Sequence, residues 1–269
     1  MTVLEVDGLT KAFGGNLAVD GVSFDVAAGE LLALIGPNGA GKTTCFNCLN
    51  GQLRPDAGRV LLGGRDLTGR SPQRIFRAGV GRTFQITRTF ASMTVAENVQ
   101  AALISSRRRT LNLWQPASRI DRRESLALLG SVGMADQAGR PCGVLAYGDL
   151  KRVELAVALV GQPKLLLMDE PTAGMAPSER RELMALTQSI VRERGLAVLF
   201  TEHDMDVVFG HADRIMVMNR GRLVASGEPE AIRKDPLVQE IYLGAPAPPE
   251  PADPGSSRAE PASLERNDG

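Results

Sequence analysis

Leu31-Leu32-Ala33-Leu34-Ile35-Gly36-Pro37-Asn38-Gly39-Ala40-Gly41-Lys42-Thr43 joins an unbroken apolar run to a glycine-rich turn. A run with no polar interruption is what a strand buried on both faces requires. Residues 36–43 fit the spacing G-x-x-x-x-G-K-[ST], which average residue usage matches by chance in about one chain in a hundred of this length. The setting says more than the pattern: the turn follows the apolar run and opens a helical segment that includes Cys45–Leu49. Glycines let a backbone fold tightly enough for several N–H groups to converge on phosphate oxygens. The following helix adds roughly half a positive charge at its N-terminus. In such a loop Lys42 reaches the β- and γ-phosphates of a nucleotide, and the Thr43 hydroxyl ligates Mg2+. A glycine-rich turn without a ligand needs no lysine at that place.

Outward from the loop, the runs Val3–Val6 and Ala18–Val26 read as strands, separated by the breaks Gly14–Gly15 and Ala27–Gly29. Leu165–Met168 and Ala197–Phe200 repeat the apolar character of Leu31–Ile35, and each lies beside a stretch with helical features. That alternation predicts α/β architecture with a largely parallel sheet. The strand at Leu165–Met168 ends in Asp169-Glu170-Pro171, and the C-terminal edge of a parallel sheet is where ligands sit. There Asp169 would face the magnesium, directly or through a water, and Glu170 would hold the attacking water as general base. A strand merely ending at a charged turn is the plainer reading, and the phosphate loop argues against it.

From about residue 90 to 161 apolar residues recur at helical spacing, as in Val95–Ile104 and Leu126–Val132, which predicts an inserted helical subdomain. Residues 245–269 carry six prolines and almost no large apolar residues, so that tail is expected to be disordered.

The balance of 31 basic and 31 acidic residues gives a formal net charge of zero and does not favour a nucleic-acid partner, whose capture rests on a basic surface. No apolar run reaches the roughly 18 residues of a membrane span, and the N-terminus has no basic segment followed by an apolar one. Three cysteines, an odd number, fit a reducing compartment, so a cytoplasmic protein is expected. Cys45-x-x-Cys48 has the spacing of a redox pair or half a zinc site but falls behind the phosphate loop, where buried structural thiols are the expectation. Arg107, Arg108, Arg109, Arg119, Arg122 and Arg123 form a solvated helical face or lie near anionic lipid. His211 has no evident partner, Trp114 reads as local packing, and Glu202 either positions His203 or lies on the surface.

Taken together, these residues resemble the ATP-binding subunit of ABC transporters across nearly all of Leu4–Gly244. The resemblance implies a P-loop NTPase core over residues 1–244, with an N-terminal antiparallel β subdomain and the inserted helical one. Thr83-Phe84-Gln85 is similar to the glutamine loop, where Gln85 would contact Mg2+ and water and sense the membrane partner. Leu145-Ala146-Tyr147-Gly148-Asp149 resembles the signature segment, which in that family completes the ATP site of the opposing subunit. Thr201-Glu202-His203-Asp204 resembles the switch motif, with His203 touching the γ-phosphate. Phe13, with Val19 beyond it, sits where the family stacks an aromatic residue on adenine. The run Gly36–Thr44 with Cys45–Leu49, then Gly81–Gln85, Leu145–Gly148 and Tyr242-Leu243-Gly244, is similar to the branch that serves branched-chain amino acid importers. Relatives in that branch serve other hydrophobic amino acids, amides, urea or lipopolysaccharide export.

Two positions depart from the family. The signature serine is Ala146 here, which removes a hydrogen bond to a charged group worth roughly 1.5–3 kcal/mol; the branch itself tends to read Leu-Ala-Tyr-Gly. The family's aspartate, or the branch's asparagine, is Ala176, which bears on communication between two ATP sites. Lys42, Asp169, Glu170 and His203 are intact. The resemblance implies a peripheral subunit at the cytoplasmic face of the inner membrane, paired with a like or related ATP-binding subunit. Permease subunits and an extracytoplasmic solute-binding protein are the further partners implied. A soluble ABC ATPase acting on ribosomes would carry two motif sets, and one acting in DNA repair would carry long heptad repeats. A P-loop GTPase or kinase would leave Leu145–Asp149 unexplained.

Overall fold

The computed structural model describes residues 1–83, 89–107 and 121–243. Gln85, Arg108, Arg109, Trp114, Arg119 and the stretch 245–269 lie outside the described residues.

β1 (Thr2–Phe13) and β2 (Asn16–Ala27) make an antiparallel hairpin. It is longer than the runs Val3–Val6 and Ala18–Val26 indicate, because the register shifts between Val6 and Leu9 and again about Lys11. Each irregularity interrupts the period-2 pattern that marks a strand. β3 (Leu31–Ile35) enters the phosphate loop and α1 (Lys42–Leu49) leaves it. β4 (Ala57–Leu62), β5 (Arg65–Asp66), α2 (Pro72–Ala78) and β6 (Val80–Arg82) follow.

Between residues 90 and 161 the described helices are α3 (Val95–Ser106), α4 (Arg122–Ser131) and α5 (Tyr147–Ala158), with single 3-10 turns at Ala135–Gln137 and Cys142–Val144. An isolated β-bridge joins Thr94 to Pro141. α3 begins at a reciprocal cap. Thr94 Oγ1 accepts from the Glu97 N–H at 3.2 Å, and Glu97 Oε2 accepts from the Thr94 N–H at 2.8 Å, a pairing of two otherwise orphaned donors. The chain then runs through β7 (Leu165–Asp169), α6 (Pro177–Arg194), β8 (Ala197–Thr201), α7 (Met205–His211), β9 (Arg214–Asn219), β10 (Arg222–Gly227), α8 (Pro229–Lys234) and α9 (Pro236–Leu243).

The strands form two sheets, an antiparallel one in the order β2-β1-β4-β5 and a second in the order β10-β9-β3-β8-β7-β6. The second is parallel except where β10 joins β9. It separates two apolar cores. Leu31, Ala33 and Ile35 of β3 face one, with α3 to α7, while Leu32 and Leu34 face the other, with α1 and the antiparallel sheet. Burial on both sides explains the unbroken apolar run. No described helix is long and apolar enough to cross a membrane.

Phe46 on α1 is fully buried against the second core. Phe46→Ala should lower unfolding free energy by about 3–5 kcal/mol, measured by urea denaturation.

Candidate functional site

The loop between β3 and α1 is seated by glycine. Gly36 has φ 153°, and a β-carbon there would stand 2.1 Å from the Met218 carbonyl oxygen. Gly41, which caps α1 at φ 105°, would place a β-carbon 2.1 Å from the Ala18 carbonyl oxygen. The loop thus lies directly against β9 on one side and the β1–β2 hairpin on the other. The Gly221 N–H donates to Ala40 O at 2.9 Å, and the Asp20 N–H donates to Gly221 O at 2.8 Å, closing the seat. The first N–H groups of α1 have no intrahelical acceptor and supply donors at the loop. Lys42 is buried, and its Nζ donates to Gly36 O at 2.5 Å and Pro37 O at 3.1 Å. Burial pushes its ammonium below the usual lysine value, and the charges of Glu170 and Asp169 act against that. Thr43 is exposed and Thr44 half-buried at the helix start.

The two carboxylates stand at the C-terminal edge of the parallel sheet. Asp169, the last residue of β7, accepts from the Thr201 hydroxyl at 2.8 Å on Oδ1, and Arg82 lies 3.8 Å from Oδ2. Glu170 adopts φ 49°, the left-handed region, which a residue with a β-carbon enters at a cost of about 1–2 kcal/mol. Its N–H donates to the carbonyl and hydroxyl oxygens of Thr201 at 3.1 and 3.2 Å. That turn carries the Glu170 carboxylate to His203, whose Nε2 lies 2.9 Å from Oε1. Lys42, Asp169, Glu170 and His203 therefore converge on one sheet edge.

The other expected residues are placed differently. Phe13 ends β1 half exposed, with the Lys11 ammonium 5.6 Å from its ring centre. Val19 is fully buried in the core under the loop, so its side chain offers no surface to a stacked base. Ala146 caps α5 without a side-chain acceptor, Tyr147 is exposed, and Gly148 is buried with the Glu179 carboxylate 3.0 Å from where a β-carbon would stand. Asp149 lies half-buried in the first turn. These residues belong to α5, which packs on α3, α4 and α6 in the core opposite α1. Ala176 caps α6 and donates only its N–H, to Glu179 Oε2 at 3.1 Å.

Two residues beside His203 gain their contacts only from the fold. Thr201 bridges the ends of β7 and β8, and Glu202 is buried beneath His203 with Thr172 as its partner. The surface reading of Glu202 is therefore corrected. His211 also has a partner, since its Nδ1 lies 3.0 Å from Gln188 Oε1. Arg107 is paired with Asp121 and Glu124, whereas Arg122 and Arg123 are exposed. Cys45 and Cys48 lie in the core, and burial pushes their thiols up to about 12 and about 11.

Two outcomes follow from this geometry. Gly41→Ala should abolish nucleotide binding in a fluorescent-nucleotide titration, since either Ala18 or the loop must move. Native protein at pH 8 should resist alkylation by iodoacetamide at Cys45 and Cys48, with labelling appearing only on unfolding, as mass spectrometry would show.

The chain is similar in sequence to known proteins. Residues 19–173 match the family described as ABC transporter, and residues 222–248 match that described as branched-chain amino acid ATP-binding cassette transporter. The chain is 44% identical over 249 residues to the high-affinity branched-chain amino acid transport ATP-binding protein LivG of Salmonella typhimurium, covering 90% of this chain and 98% of that one. It is 42% identical over 253 residues to the corresponding protein BraF of Pseudomonas aeruginosa, covering 90% and 98%. Among solved structures, the ADP conformation of MJ1267, an ATP-binding cassette of an ABC transporter, superposes with a TM-score of 0.82 at 34% identity, over 91% of this chain and 99% of that one.

Proposed function

The chain belongs to the ABC transporter family, and from that premise we propose that it is the ATP-hydrolysing subunit of an importer for branched-chain or other hydrophobic amino acids. The observation that carries the reading is the convergence of Lys42, Asp169, Glu170 and His203 on the edge of the sheet beside the glycine-seated loop.

In this reading the α1 N-terminus and Lys42 hold the phosphates of ATP and stabilise charge on the transferring phosphoryl group. The oxygen donors Thr43 and Asp169 suit a hard cation, with Gln85 as a third ligand implied by the family. A magnesium ion held there would neutralise charge on the phosphate oxygens. Glu170 takes a proton from the attacking water and orients it in line, and His203, within hydrogen-bond reach of Glu170, contacts the γ-phosphate. Phe13 offers its exposed ring to the adenine.

Ala146–Asp149 form the cap and first turn of α5, with Ala146 and Tyr147 exposed, which supports a head-to-tail pair in which each signature segment completes the partner's site. Closing and opening of that pair would drive the membrane subunits, with helices α3 to α5 as the coupling layer. The subunit would sit peripherally at the cytoplasmic face of the inner membrane and serve a solute-binding protein outside it.

Glu170→Gln should retain ATP affinity while steady-state phosphate release falls at least about 100-fold, the lower range for loss of a general base. Normal turnover by that variant would refute the assignment. Co-purification with a polytopic membrane protein, and leucine uptake by the reconstituted complex, would test the transport role; a complex that moves urea or exports lipid instead would redirect it.

A further inference from the structure

Glu202 follows the last residue of β8 with 4% of its surface exposed. A carboxylate so buried requires donors around it, and Glu202 has them. Its Oε1 accepts from the Thr172 N–H at 2.8 Å and from the Thr172 hydroxyl at 2.6 Å, and its Oε2 accepts from the His203 N–H at 3.3 Å. Thr172 is 1% exposed and anchors the turn that starts at Glu170: the Ala173 N–H donates to Glu170 O at 3.2 Å, and the Met175 N–H donates to Thr172 O at 3.1 Å. Arg180 ties the far end of that turn, donating from Nε to Met175 O at 2.8 Å and pairing with Asp204. The turn after Glu170 and the segment around His203 are thus fastened to each other at two places. The 2.9 Å contact between His203 Nε2 and Glu170 Oε1 spans the gap between them.

We propose that Glu202 is a positioning residue for the hydrolytic pair, setting His203 within reach of Glu170 by clamping Thr172 to the His203 main chain. The inference rests on the reading of Glu170 and His203 as that pair. Thr201 fixes the inner half of the same junction, through Asp169 and the Glu170 N–H. Glu202 fixes the outer half, where the imidazole leaves the backbone. A displacement of residues 171–176 is passed to His203 through this carboxylate.

The test uses the full chain with ring-15N histidine. The protein has two histidines, so the spectrum resolves His203 against His211, whose bond to Gln188 lies elsewhere. Glu202→Gln keeps the shape but turns an amide N–H2 or a neutral oxygen toward donors that need a carboxylate. It should shift the His203 ring nitrogens, leave those of His211 in place, and slow ATP hydrolysis about tenfold, the loss expected from one charge-assisted hydrogen bond. ATP affinity and melting temperature should stay close to wild type. Thr172→Val should do the same, Thr172→Ser should retain wild-type behaviour, and the Glu202→Gln, Thr172→Val double variant should be no slower than the worse single. Unmoved His203 resonances in Glu202→Gln would overturn the proposal, as would shifts at both histidines with a collapsed melting temperature, which would mark a residue serving the fold alone. If the wild-type chain neither binds nor hydrolyses ATP, the functional reading fails, and the nitrogen shifts still decide whether Glu202 positions His203.

Discussion

Two main-chain carbonyl oxygens, Met218 O and Ala18 O, stand where β-carbons on Gly36 and Gly41 would have to be. The phosphate loop therefore has no shape of its own. It is moulded against the end of β9 and the start of β2, and the moulding fails if either backbone is displaced. Gly221 completes the arrangement by bonding to both Ala40 and Asp20. A loop of six residues, Gly36–Gly41, thus ties the antiparallel sheet to the parallel one, and the site exists only when both sheets have formed.

The opposite wall is built from the ends of β7 and β8. Thr201 accepts the Glu170 N–H and donates to Asp169, so neighbouring carboxylates are turned to different tasks by one hydroxyl. The left-handed backbone at Glu170 is the cost of that divergence: an extended residue there would continue the strand and carry the carboxylate past His203. Lys42, desolvated on one side and drawn by two carboxylates on the other, stands in the field that this wall creates.

Much of this was legible in the residues themselves. The apolar run of β3 followed by the glycine spacing located the loop, and the same run at Leu165–Met168 located the acidic edge, because burial on both faces leaves a continuous hydrophobic signature. The antiparallel strands were partly hidden by bulges, and β4, β5, β6 and β10 by their shortness or their mixed burial. β9, with Ile215–Met218 fully buried, carries the same continuous signature but has no motif beside it to mark its place. At the site, Lys42, Asp169 and Glu170 followed from chemistry and spacing. The sequence left Glu202 open between positioning His203 and lying on the surface, and gave no role to Thr201 or Thr172 in the junction. These residues' partners lie about thirty residues away and meet only through strand pairing. Val19 shows the reverse: an apolar residue near an aromatic one carries no mark of which way it faces.

The central sheet divides the interior into two compartments, and along each strand successive residues belong to different ones. Leu31, Ala33 and Ile35 answer to the helices, Leu32 and Leu34 to the other side; Leu166, Met168, Val198, Phe200, Ile215 and Val217 share the first allegiance, and Leu165, Leu167, Ala197, Leu199, Met216 and Met218 the second. Substitutions along any one of these strands therefore fall to one compartment or the other at alternate positions. A change at Leu32 seeks compensation among residues around Phe46, whereas a change one step along the chain seeks it across the molecule near Phe200, so adjacent letters of the sequence are free to diverge on separate schedules.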